Sequence, residues 1–115
     1  GKNGTNYHME DVKQVVDELA KTGLITRVMI DCSHGNSNKD FRRQSNVLDV
    51  VAQQVRDGSN QIMGVMLESH LLEGNQALTK DLTDLIYGKS ITDACIDINT
   101  TQTLLDDLAN SVTSM

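Results

Sequence analysis

Three short stretches carry the side chains in this sequence best suited to chemistry: "DCSH" (Asp31 to His34), "MLESH" (Met66 to His70) and "TDAC" (Thr92 to Cys95). Among their side chains are the imidazole of His34 and the carboxylates of Glu68 and Asp93. A neutral imidazole with two carboxylates suits a divalent cation of hard or borderline character, such as Mn²⁺, Fe²⁺, Co²⁺ or Zn²⁺. Singly, each has an ordinary role: a loop histidine bonded to water or backbone, a capping or surface glutamate, a turn-forming aspartate. Glu68 fits its ordinary role least well, because it follows directly on the apolar run "IMGVML". Together, at matching places in the pattern of elements, the three point to a metal site.

The elements that must position them can be read from periodicity. "MEDVKQVVDELAKTG" carries Val12, Val15, Val16 and Leu19 at helical spacing, with Gly23 where a helix ends. "ITRVMIDC" reads as a β-branched strand, and the polar loop "SHGNSNKD" follows it. A second helix, "FRRQSNVLDVVAQQVRDG", has a stripe of Phe41, Leu48, Val51 and Val55 and stops at Gly58. "QIMGVMLES" is nearly continuous in apolar residues, as a strand covered on both faces would be. After a long segment from His70 to Gly88, "SITDACID" reads as a third strand. "TTQTLLDDLANSV" reads as a last helix, capped by Asn99 or Thr100, with Leu104, Leu105 and Leu108 on one side. Helices alternating with strands predict an α/β fold with parallel strands and right-handed crossovers. In such folds the ligand site lies at the C-terminal strand ends, where these three stretches fall.

Size and charge narrow the classes. The 115 residues are expected to form a single unit over 1–115, 38% hydrophobic and 23% charged. A net charge of −6 and ten Lys and Arg without a basic stripe give no support to nucleic-acid binding. No apolar run is long enough to span a membrane, and no signal peptide is expected from the opening residues. Cys32 and Cys95 lack CxxC spacing, so two reduced thiols in a cytoplasmic protein are expected. The opening "GKNGTNY" reads as a loop, and the chain as a piece of something longer.

Three longer motifs, "VMIDCSHGNSNKD", "GVMLESHLLEGNQ" and "YGKSITDAC", closely resemble the last third of the type I 3-deoxy-D-arabino-heptulosonate 7-phosphate (DAHP) synthases. The resemblance runs through nearly the whole chain. It implies the last three β/α units of a (β/α)₈ barrel, a fold that needs about 250 residues in full. It also implies a metal held by a Cys, a His, a Glu and an Asp. The last three map to His34, Glu68 and Asp93, while the Cys belongs to an earlier strand. Neither Cys32 nor Cys95 matches it, and both are expected to pack as small apolar side chains.

By the same resemblance, the parent enzyme condenses phosphoenolpyruvate with erythrose 4-phosphate and releases phosphate. The metal acts as a Lewis acid on the aldehyde oxygen. His34 and Asp93 are then catalytic as well as metal-binding, Asp93 also touching a sugar hydroxyl, and Ser33 and Asn36 orient ligands from behind. Most phosphate-binding cations would lie on earlier strands; Lys2 and Lys89 lie near the mouth but read as solvated loop lysines. A Schiff-base aldolase is disfavoured because none of the three strands contains a lysine. The segment alone is expected to be inactive and to associate into homo-oligomers through uncovered sheet edges. The alternative is a stand-alone, non-catalytic α/β module that binds a metal or an anion.

Overall fold

A computed structural model describes residues 4–113. The elements are α1 (Met9–Lys21), β1 (Val28–Asp31), α2 (Gln44–Arg56), β2 (Ile62–Met66) and α3 (Ile98–Thr113), with short 3₁₀ turns at His34–Ser37, Phe41–Arg43 and Leu82–Asp84. β1 and β2 pair in parallel, with Ile30 opposite Val65 and Asp31 opposite Met66. The helix between them is the crossover that a parallel pair requires. Gly23 and Gly58 follow α1 and α2 at φ of 73° and 99°, left-handed positions that end a helix without a Cβ penalty.

The core lies between the sheet and the helices. Val47, Leu48 and Val51 of α2 are almost wholly buried, against Ile30, Cys32, Ile96 and Leu104, with Val12 and Val16 of α1 joining from one side. α2 buries a wider stripe than the four apolar positions suggest, taking in Gln44 and Gln54 as well. Leu104 of α3 is buried, whereas Leu105 and Val15 stay exposed. Side chains alternate across a strand, so Ile30 faces the helices while Met29 and Asp31 face the other side. Met29 is exposed, and its partner on that face is Gly64, which leaves the face without a large side chain there.

The third strand is the main correction. Residues 90–97 form only isolated bridges: Asn75 with Ser90, Gly74 with Cys95, and Ser69 with Ile96. Ile96 does run parallel to the continuation of β2: its amide donates to the Glu68 carbonyl (2.9 Å), and its carbonyl accepts from His70 (3.0 Å). The residues before it are diverted, because the Ser90 hydroxyl accepts the Thr92 amide at 3.1 Å and closes a local turn. Ser and Thr side chains compete with ladder bonding in this way. Asp93 therefore sits in a bend ahead of the bridge, not at the end of a strand. The cap of α3 also differs from expectation. Asp97 does the capping, its carboxylate accepting the Thr100 amide at 2.7 Å.

Candidate metal centre

β1 ends at Asp31, and its backbone runs on as Cys32 donates to the Met66 carbonyl at 2.9 Å. The chain then turns sharply. His34 has φ of 49°, and Asn38 and Lys39 are also left-handed, at 53° and 62°. Such a backbone is unfavourable for residues with a Cβ and persists only where the surroundings hold it. Here the His34 carbonyl accepts from the Lys39 amide (2.8 Å) and the Ser37 hydroxyl (3.2 Å). The buried Asn36 donates to the Asp31 carbonyl (2.8 Å) and accepts the Asn6 amide (2.8 Å). Asn36 thus holds the loop backbone, while Ser33 alone of the two touches a ligand side chain, its Oγ lying 2.9 Å from His34 Nδ1.

Glu68 lies two residues beyond β2 and is gripped through its backbone. The wholly buried Gln44 of α2 accepts the Glu68 amide (2.8 Å) and donates to the Glu68 carbonyl (3.1 Å). A glutamine on an amphipathic helix gives no sign in the sequence that it will do this.

The loop, β2 and the bend at residues 91–93 bring the three expected ligands together. One donor atom from each of His34, Glu68 and Asp93 lies within 4.8 Å of the other two. His34 Nε2 is 3.4 Å from Glu68 Oε1 and 3.1 Å from Asp93 Oδ2. Metal–ligand bonds of about 2.0–2.2 Å place neighbouring donors about 3.0–3.5 Å apart, so these spacings fit one cation. The Nδ1 side of the ring faces Asp31 Oδ2 at 3.0 Å.

The electrostatics agree with the geometry. Hydrogen bonds accepted by Asp31 and then by Asp93 hold the His34 pKa above its ordinary value, against a desolvation penalty. Burial works against the charge of Asp31, yet the Ser33 hydroxyl and amide, with His34, hold its carboxyl below the usual range. The cluster therefore draws positive charge to Nε2. A proton there reaches one carboxylate well, whereas a divalent cation would satisfy both.

The site opens on a cavity of about 240 Å³ lined by Ser33, His34, Lys39, Gln44, Glu68 and Asp93 among others. Lys39 is the one Lys or Arg in that lining. Its place was invisible in the sequence because it depends on two consecutive left-handed residues. Lys89 does not line the cavity, and Lys2 lies outside the described residues. Both cysteines are buried, as expected. Burial, helped by the charge of Asp31, pushes the Cys32 thiol up to about 12, and burial with the Glu68 charge raises Cys95.

Residues 1–106 match the family model described as the DAHP synthetase I family. The chain belongs to that family. A relative within it, the Tyr-sensitive phospho-2-dehydro-3-deoxyheptonate aldolase of Enterobacter agglomerans, is 48% identical over 108 residues, covering 94% of this chain and 51% of the relative. The Phe-sensitive aldolase of Escherichia coli K12 is 51% identical over 107 residues, covering 93% of this chain and 30% of the relative. The solved structure of the phospho-2-dehydro-3-deoxyheptonate aldolase of Francisella tularensis SCHU S4 superposes with a TM-score of 0.93 at 44% identity. It covers 99% of this chain and 33% of that one. The chain thus spans about half, or about a third, of the DAHP synthase family members it matches. Among the described residues no helix is long and apolar enough to cross a membrane.

Proposed function

We propose that this chain is the C-terminal, metal-binding portion of a cytoplasmic DAHP synthase, which condenses phosphoenolpyruvate with erythrose 4-phosphate to DAHP and phosphate. It would form one unit supplying the last three β/α modules of a (β/α)₈ barrel. The sheet face carrying Met29 and Gly64 would then look into the barrel. The observation that carries the reading is the convergence of His34, Glu68 and Asp93 at spacings that fit a single divalent ion.

His34 Nε2, Glu68 Oε1 and Asp93 Oδ2 are the atoms that would hold Mn²⁺, Fe²⁺, Co²⁺ or Zn²⁺. Such an ion supplies Lewis acidity toward an aldehyde oxygen. Glu68, with 31% of its side chain exposed, serves as a fixed ligand. Asp93, at 67%, has an edge free to meet a sugar hydroxyl. Lys39 offers positive charge to a phosphate or carboxylate oxygen entering the same cavity. Phosphate groups need more cations than this one, so the 115 residues alone are expected to lack synthase activity. They are expected to self-associate through the open sheet.

The test compares this segment with the protein in its natural length, assayed with both substrates and analysed for bound metal. The long form should be active, and His34→Ala or Glu68→Ala should lose both activity and metal. Full activity and unchanged metal content in His34→Ala would refute the assignment.

A further inference from the structure

We propose that Asp31 is the positioning residue that presents His34 to the cation, fixing the ring so that its Nε2 lone pair points at Glu68 and Asp93. The inference rests on the metal reading above and adds a residue to it.

Ser33 has a single hydroxyl proton and three neighbours for it. Asp31 Oδ1 lies 2.6 Å from Ser33 Oγ, His34 Nδ1 lies at 2.9 Å, and Met66 Sδ lies at 3.8 Å. A thioether is a weak acceptor, and a hydroxyl held this close to a carboxylate oxygen donates to it. The Ser33 amide donates to the same Oδ1 at 2.8 Å, so that oxygen is fully engaged and the carboxylate plane is set. With its proton spent, Ser33 Oγ can offer His34 only a lone pair. Asp31 Oδ2, 3.0 Å from Nδ1, can likewise only accept. Two acceptors therefore face Nδ1, so Nδ1 carries a proton, and it is on the Nε2 side, between two carboxylates, that a cation can take the place of a second proton.

The consequence falls on the other side of the ring. With Nδ1–H held, the Nε2 lone pair is what a cation seated between His34, Glu68 Oε1 and Asp93 Oδ2 would meet, those oxygens lying 3.4 and 3.1 Å from Nε2. An imidazole whose Nδ1–H is held by a carboxylate is fixed in orientation and is a more basic ligand. Asp31 is itself anchored as the last residue of β1, with its carbonyl bound by Asn36. The ring is thus tied to the sheet through one side chain, although its own backbone lies in a turn.

The experiment is a Co²⁺ titration of the protein in its natural length, followed by visible absorption. Asp31→Ala should weaken Co²⁺ binding by about 10–100-fold, the usual effect of removing such a partner. It should also shift the bands, since the ring is free to rotate. Asp31→Asn, with one oxygen to share between the Ser33 donors and Nδ1–H, should recover the affinity only in part. A second measurement needs no variant: in the Zn²⁺-loaded protein, ¹⁵N–¹H correlation should show the His34 proton on Nδ1. A proton on Nε2, or an Asp31→Ala protein with unaltered affinity and spectrum, overturns the proposal while leaving the metal site standing. Absence of Co²⁺ binding by the unaltered protein overturns the metal reading and this proposal with it.

Discussion

His34 and Glu68 leave from the ends of two paired strands, and each is tied to buried structure by a neighbour. Asp31 and Ser33 hold the ring of His34, and Gln44 clasps the peptide of Glu68. Asp93 comes from a bend between isolated bridges, and two-thirds of its side chain is exposed. One half of the centre is built on the core, the other on a loop whose buried residues, among those described, include Ser90, Cys95 and Ile96. The difference separates two tasks. A ligand that only holds a cation gains from rigidity, whereas one that also meets an incoming hydroxyl gains from freedom to adjust.

The largest expected effect comes from removing the clasp on the rigid half. Gln44→Leu keeps the volume but leaves the Glu68 amide without a partner, while the Glu68 carbonyl keeps its bond from Ile96. An unpaired buried donor costs about 1–3 kcal/mol, a loss that urea unfolding would read directly. The matching change on the loop half, Ser90→Ala, removes the bond to the Thr92 amide and should cost about 0.5–1.5 kcal/mol. Equal losses would mean that the two halves are equally integrated and would break the contrast.

The thiols sharpen it further. Cys32 belongs to the strand side and Cys95 to the bridged loop, and both are buried. With the Cys32 pKa at about 12 and that of Cys95 also raised, neither is a reactive thiolate at pH 8. Labelling of the folded protein must then proceed through opening, and local opening is easier where few backbone bonds must break. Iodoacetamide at pH 8 followed by peptide mass analysis should find Cys95 modified well before Cys32, and the two equally fast in urea. Equal rates in the folded state would show that the loop opens only with the whole domain.

The same contrast explains what could be read from the sequence. α1, α2, α3, β1 and β2 announce themselves through apolar spacing, because burying one face is what forms them. The third strand did not form as a strand because the residues before Ile96 include Ser90 and Thr92, whose side chains bond locally. Apolar and β-branched content alone cannot reveal that competition. His34, Glu68 and Asp93 were legible because their residue types are informative wherever the chain puts them. Gln44, Asp31 and Lys39 were not. Gln44 acts on a residue 24 positions away, Asp31 acts by a proton inventory among three side chains, and Lys39 depends on left-handed turns.

The smallest effect concerns the helix that follows the loop. Asp97 caps α3 by accepting the Thr100 amide, and that bond holds its carboxyl below the usual range. A depressed carboxylate pKa means that the folded state favours the ionised form. Its contribution is fully present above the unfolded value of about 3.9 and is lost as the pH falls through the lower folded value. Asp97→Ala should therefore lower the Tm at pH 7, and the gap from the unaltered protein should narrow as the pH drops below about 4. Asp97→Asn keeps an acceptor without a charge and should hold most of the cap at pH 7, with no such titration. If the gap for Asp97→Ala stays constant down to pH 3, the α3 cap owes nothing to the ionised carboxylate.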